Sequence, residues 1–251
     1  MDWAYGIQTC SQRRGDVLPK TLKSLAKAGF DRPHLFVDGE ADGFDWIVEF
    51  GLPVTCRWPA VLCVGHWWLS LQELFVRHPF ADRYALFQDD FVTYKNLRDY
   101  LEQSEYPTNG YCNLYSFMEN DQLVKSSSKT GWVETPTLPT LPGNFTTQTG
   151  RGAVALVFDQ HAITSLLQSP TMVLRPKDET WKHRKVDLSI VTAMNQTGVR
   201  EYVHAPSLVQ HTGMVSTTNL GLDGQPKIAK EFASSFKGES FDALDLLEGK
   251  K

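Results

Sequence analysis

Two adjacent carboxylates, Asp89 and Asp90, stand at the end of an apolar run in "YALFQDDFV". Neighbouring acids repel each other, and burying both without partners is expensive. A divalent cation removes that cost, because Mg2+ and Mn2+ prefer oxygen ligands and often bridge to substrate phosphates. The plainer reading is a surface turn or helix cap before "VTYKNLRDYLEQ", with the pair exposed at the strand end. Arg13 and Arg14 follow the first apolar run, where a guanidinium suits either a phosphate or a nearby carboxylate, or is simply a solvated loop charge. Asp38 closes "HLFVDG" and reads locally as an Asp-Gly turn. His211 in "LVQHTGMVS" is of the type that most often ligates metals, or else a loop His bonded to backbone.

Further candidates lie in the second half. Trp132 in "TGWVET" sits in polar surroundings and suits a stacking platform for a sugar or base, whereas Trp68 of "GHWWLSLQELF" suits the core. Trp67 and Trp68 cannot share one helical face. Lys182 and Arg184 belong to the basic run "WKHRK", which is a solvated face or a steering patch for a phosphate-bearing acceptor. Asp187 follows it and opens "VDLSIVTAMNQTG". There Val186, Ile190 and Ala193 mark an apolar face that excludes position 187. A first-turn carboxylate suits the helix dipole, and it is also available as a general base.

These residues need elements to hold them. Strands are expected at "WAYGIQT", "HLFVDG", "PVTCRW", "RYALFQ", "CNLYSF", "GAVALVF" and "EYVHAPSLVQHTG". Helical spacing appears in "VLPKTLKSLAKAGF", "VGHWWLSLQELFVRHP", "KNLRDYLEQS", "DQHAITSLLQ" and "VDLSIVTAMNQTG". Such alternation predicts an α/β fold with a mainly parallel sheet flanked by helices. Residues 119–150 are polar and rich in Thr, Ser, Pro and Gly, and read as one long loop that could close over a ligand. One or two amphipathic helical stretches are expected in the tail "IAKEFASSFKGESFDALDLLEGKK".

The 251 residues allow one large domain or two small ones, and no stretch reads as a linker between domains, so a single domain is expected. A net charge of -4 gives the whole molecule no drive toward nucleic acid or anionic membrane, though a local basic patch is allowed. The four cysteines form no C-x-x-C pair, neither a zinc pattern nor a dense disulfide framework. No signal-peptide pattern or apolar run long enough for a span is visible, so a cytoplasmic location is the expectation.

Taken in order, several stretches resemble the GT-A glycosyltransferases, family-2-like members in particular. "SQRRGDVLPKTLKSLAKAGFDRPHLFVDG" is similar to their opening strand-loop-helix-strand, "GHWWLSLQELF" to the helix before the metal motif, and "YALFQDDFV" to the short acidic motif, with Gln88 where a first acid often stands. "GRGAVALVFDQHAITSLL", "VDLSIVTAMNQTG" and "PSLVQHTGMVS" resemble the acceptor-side strand and helix, the helix with a late acid, and the closing His loop. The resemblance implies a GT-A, Rossmann-like mixed sheet, with residues 1–118 binding the donor, 119–217 the acceptor, and 218–251 a helical tail.

It further implies a nucleotide-sugar donor, a UDP-sugar first, and Mn2+ or Mg2+ held by Asp90, Asp89 and His211. Asp90 would be the direct ligand, with Asp89 on ribose or a metal-bound water. Arg13, Arg14, Asp38 and Ser216 would also serve the donor, Asp38 through the nucleoside or Arg13, and Ser216 through the diphosphate. Asp187 would be the base of an inverting transfer. The hydroxyl acceptor would be a saccharide or a hydroxymethylated pyrimidine in DNA, since some phage enzymes acting on such bases have related folds. A nucleotidyltransferase, which would carry a Gly-rich phosphate loop after the first strand, and a non-catalytic sugar-binding module are the alternatives.

Overall fold

The computed structural model describes residues 1–10, 13, 15, 17–39, 51–116, 119–127, 130–135, 137–138, 147–148, 152–174, 186–213, 215–220, 226–228 and 233–248. The strands are β1 (Trp3–Cys10), β2 (His34–Asp38), β3 (Val54–Arg57), β4 (Arg83–Gln88), β5 (Phe91–Thr93), β6 (Gly110–Asn113), β7 (Gly131–Glu134), β8 (Thr137–Leu138), β9 (Thr147–Gln148), β10 (Ala155–Asp159), β11 (Arg200–Ala205), β12 (Val209–His211), β13 (Val215–Leu220) and β14 (Pro226–Ile228). The helices are α1 (Leu18–Lys27), α2 (Leu62–Arg77), α3 (Leu97–Gln103), α4 (Glu119–Ser126), α5 (Gln160–Leu167), α6 (Pro170–Leu174), α7 (Val186–Gln196) and α8 (Asp245–Glu248).

The main sheet has eight strands in the order β3-β2-β1-β4-β10-β6-β11-β7. Strands β1 to β4 are mutually parallel, and β11 runs parallel to β6. Strand β10 is antiparallel to both β4 and β6, and β7 is antiparallel to β11. The sheet is thus mixed and mostly parallel, as the alternation of strands and helices predicts. Strands β1, β2, β4 and β10 are largely buried runs because both of their faces are covered. On one face Leu18, Leu22 and Leu25 of α1 and Tyr100 of α3 pack on Ile7, Val37 and Phe87. On the other, Trp67, Trp68 and Leu71 of α2, Ile163 of α5 and Ile190 of α7 pack on Ala4, Leu86 and Phe158. Both tryptophans of α2 are buried, Trp67 at 1% and Trp68 at 5% exposure, because α2 meets the sheet on one side and α7 on another.

One expectation is corrected and one is narrowed. The stretch 119–150 is not one open loop: it holds α4 and β7, and β7 closes the edge of the main sheet through β11. The short strand "GWVE" is masked in sequence by the Thr- and Pro-rich chain around it. The tail from 233 onward is mainly turns with one short helix, α8. Its apolar residues dock on an aromatic cluster instead of forming a helical stripe. Phe236 stacks on Tyr94 with ring centroids 4.7 Å apart, and Phe241 lies 4.9 Å from the same ring. Residues 249–251 lie outside the described residues.

One buried acid stands out. Glu201 of β11 is 2% exposed and accepts hydrogen bonds from Asn113 and Thr135. Burial pushes its carboxyl from 4.5 up to about 7, against the pull of those donors. A folded-state pKa above the unfolded one contributes stability that is complete below about pH 4.5 and is lost as pH rises through about 7. Glu201→Gln has no such loss. Urea unfolding at pH 5 and pH 8 should therefore show the wild type falling relative to Glu201→Gln by up to the order of 3 kcal/mol. An equal gap between the two proteins at both pH values would contradict the shift.

Candidate functional site

The strand order reverses between β1 and β4: from β1 the chain builds outward to β2 and β3, then returns to lay β4 on the other side. In open α/β sheets such a switch point leaves a crevice beyond the carboxyl ends of the strands, where ligands bind. Asp89 and Asp90 follow β4 directly, and Thr9 nears the end of β1 beside them. Antiparallel β10 begins at the same edge, where Gln88 N–H donates to the Val154 carbonyl at 2.8 Å.

Both acids are buried, Asp89 at 5% and Asp90 at 3% exposure, so the expectation of an exposed pair is overturned. Arg13 makes this possible. Its Nη1 donates to Asp89 Oδ1 at 3.2 Å and makes a close ion pair with Asp90 Oδ2. Thr9 Oγ1 donates to Asp89 Oδ2 at 2.6 Å, which engages both oxygens of Asp89 with protein groups. The guanidinium is itself mostly buried, which opposes its charge, but the two carboxylates more than compensate and hold it protonated.

His211 completes the cluster through strand pairing. Strand β12 runs antiparallel to β5 with His211 opposite Phe91, and His211 Nε2 lies 3.1 Å from Asp90 Oδ2. The Asp90 carbonyl accepts from Thr212 N at 2.7 Å, and Thr21 Oγ1 lies 2.7 Å from the Asp89 carbonyl and 2.8 Å from that of Phe91. These bonds fix the backbone on both sides of the pair. A Cβ on Gly213 would sit 2.5 Å from Asp90 Oδ2, so only glycine lets this loop close over the acid. Burial acts to raise Asp90, yet the hydrogen bond and charge of His211, together with Arg13, hold it below the ordinary carboxylate value. Asp89 is pushed upward by burial and by the charge of Asp90.

The fit to a divalent cation rests on one atom. Asp90 Oδ1 is buried and has no hydrogen-bond partner among the described residues. An unpaired buried carboxylate oxygen is costly, and beside an imidazole it has the donor chemistry that Mg2+ or Mn2+ takes up. Among the described residues no group of three His, Cys, Asp or Glu side chains is arranged to hold a metal. Asp90 and His211 are in direct contact, while the Asp89 carboxylate faces Thr9 and Arg13.

The remaining candidates separate. Asp38 meets neither Asp89 nor Asp90; its carboxylate accepts from Val61 N at 2.8 Å and Leu62 N at 2.9 Å. Helix α2 has no capping side chain of its own at Val61, and Asp38 supplies the missing acceptors from the neighbouring strand. Asp187 is half-buried in the first turn of α7, with Oδ2 accepting from Gly152 N at 3.2 Å and Oδ1 from Leu188 N at 2.9 Å. Gly152 is only three residues before β10, the strand next to β4, so Asp187 shares the sheet edge with Asp90. Trp132 lies on β7, four strand spacings from β4, roughly 19 Å. There it packs edge-on against His204 and helps line a cavity of about 680 Å3 with Tyr106, Tyr202, Glu105 and Glu134. Ser216 lies in β13, of which the backbone pairing is described. Arg14, Lys182 and Arg184 lie outside the described residues. Thr9, Thr21, Gly213, Asn113 and Glu201 carry little local signal in the sequence beyond "QTC" at a strand end and the Gly of "HTG".

No protein-family model matches the sequence, and no curated protein matches it. In three dimensions the chain is similar to GalNAc-T7 crystallised with UDP, GalNAc and Mn2+, with a TM-score of 0.56 and 9% identity. The fold is GT-A-like. The matched region covers 84% of this chain and 43% of that protein, so the chain spans less than half its length. Lower-scoring likenesses are to a protein assigned as a glucose-1-phosphate thymidylyltransferase of Bacillus anthracis in complex with sucrose (TM-score 0.47, 13% identity, 83% of this chain and 89% of that one) and to a mannose-1-phosphate geranyltransferase of Thermus thermophilus (0.41, 12%, 81% and 74%). Those two scores are too low to bear on function.

The cluster predicts a response to cations. Arg13→Met leaves two buried carboxylates without their counter-charge, a loss on the order of 3–5 kcal/mol for a buried pair. Mn2+ should then raise the melting temperature of Arg13→Met more than that of the wild type in a thermal-shift series. Equal cation responses would show that Arg13 is not the charge that balances the acids.

Proposed function

We propose that the chain transfers a sugar from a nucleoside-diphosphate sugar, a UDP-sugar first, to a hydroxyl acceptor with inversion. The observation that carries this reading is the Asp90, His211 and Arg13 cluster with its unpaired buried Oδ1, set at the switch point of a GT-A-like sheet. Residues 1–118 would bind the donor and 119–217 the acceptor. The likeness to a structure holding UDP, GalNAc and Mn2+ supports it.

Asp90 and His211 would hold Mn2+ or Mg2+, which supplies a Lewis acid for the leaving diphosphate. Arg13, already charged at the crevice, donates to phosphate oxygens. Asp187 accepts the proton of the acceptor hydroxyl as its oxygen bonds to the sugar carbon and the bond to the diphosphate breaks. Its helix and Gly152 N–H hold the carboxylate in place while leaving lone pairs for that proton. A saccharide acceptor and a hydroxymethylated pyrimidine in DNA are separated by salt: binding to DNA should weaken steeply as salt rises. Nucleotidyl transfer would release pyrophosphate in place of a nucleoside diphosphate.

Asp187→Asn should keep donor affinity and lose transfer by something on the order of 10²–10⁴-fold. Near-normal transfer by the folded variant would remove Asp187 as the base. Asp90→Asn should abolish the Mn2+-dependent part of UDP binding in calorimetry, and His211→Ala should weaken it less, because the carboxylate carries the charge. Unchanged Mn2+ dependence in Asp90→Asn would remove Asp90 from the cation site.

A further inference from the structure

Behind Asp187 lies a buried polar chain that links β6, β11 and α7 through Gly152. Asn113 ends β6 with 0% exposure, and its Nδ2 donates to Glu201 Oε1 at 3.0 Å and to the Gly152 carbonyl at 3.0 Å. Its Oδ1 accepts from Tyr115 N at 3.1 Å. These three bonds fix the amide's orientation, since a flipped amide would set its oxygen against both the carboxylate and the carbonyl. Glu201 Oε2 is tied in turn to Thr135 Oγ1 at 3.3 Å, next to the end of β7. Gly152 spends both backbone groups here: its carbonyl on Asn113 and its N–H on Asp187 Oδ2. Its φ of +86 favours glycine and lets one residue face both partners.

We propose that Glu201 and Asn113 are positioning residues that set the Asp187 carboxylate through the backbone of Gly152. The proposal rests on the reading of Asp187 as the base. A carboxylate is expensive to bury, and a neutral acceptor would satisfy Asn113 at lower cost. Burial accordingly favours the protonated carboxyl, whose Oε1 still accepts from Asn113 at 3.0 Å, so the bond holds in either protonation state. The amide, and through it Gly152, is held more rigidly than packing alone would hold them. The consequence falls on reaction geometry, not on donor affinity, because Asp89, Asp90, Arg13 and His211 share none of these bonds. Thr135, Asn113, Tyr111 and Asp187 are among the polar and titratable groups that face Glu201.

The test uses the intact chain and two readouts: steady-state transfer, and hydrogen exchange of the Gly152 amide by NMR. Asn113→Leu and Glu201→Leu should each lower kcat by about 10–100-fold with donor KM unchanged, since small misplacements of a reacting group cost that much. The Gly152 amide should exchange at least about tenfold faster, as expected when a bond worth about 1.4 kcal/mol is lost. Glu201→Gln keeps an acceptor for Asn113 and should recover most of the rate lost in Glu201→Leu. Unchanged Gly152 exchange, an intact kcat, or a loss seen in KM instead of kcat would overturn the proposal. Should the wild type transfer no sugar from any donor, the assignment of Asp187 fails and this proposal fails with it. Gly152 exchange in Asn113→Leu then shows whether the hydrogen-bond chain itself is real.

Discussion

The structure of the site depends on one ion cluster, the Arg13 guanidinium set between Asp89 and Asp90 at the switch point of the sheet. Two adjacent carboxylates at 5% and 3% exposure could not remain charged there alone. The guanidinium, the Thr9 hydroxyl and His211 supply charge and hydrogen bonds, and the backbone around the pair is pinned by Thr21 and Thr212. The small β5–β12 ladder follows from the same need, because it brings His211 across from Phe91 and onto Asp90. Gly213 follows as well, since any side chain there would occupy the space of the Asp90 carboxylate. A loss of charge balance in the cluster would thus be felt in β1, β4, β5 and β12 together.

The mixed direction of the sheet sets the second half of the site. Had β10 run parallel to β4, the chain before it would have entered from the opposite edge. Running antiparallel, it starts where β4 ends, and Gly152 reaches the crevice. Helix α7 packs on the same face as α2 and α5, and its first turn places Asp187 against Gly152. Asp90 and Asp187 therefore lie at one edge of the sheet although they come from distant parts of the chain. Trp132, at the far strand, belongs to a separate cavity.

Much of this was legible in the sequence. Apolar runs and helical spacing placed β1, β2, β4, α1, α2 and α7, because each buries a stripe that its own periodicity displays. Asp90, His211 and Arg13 could be singled out from residue type and position at strand ends. The burial of the acids could not, because it depends on a partner 76 residues away in the chain for Asp89 and 121 away for Asp90 and His211. The partners of Asp38 were hidden for a similar reason: Val61 and Leu62 lie across a connection whose path no local pattern shows. Strand β7 and the docked tail were hidden because their stability comes from β11 and from Tyr94, not from their own sequences.

The central claim is that the cluster at the switch point is a cation site for a nucleoside diphosphate. Crystals soaked with UDP and Mn2+, with data collected at the manganese edge, test it most directly. The account predicts one anomalous peak about 2.0–2.2 Å from an Asp90 carboxylate oxygen and from His211 Nε2, with the diphosphate beside it and Arg13 turned onto phosphate. Bound UDP with manganese elsewhere, or with the Arg13 pairs to both acids intact and no metal at Asp90, would contradict it.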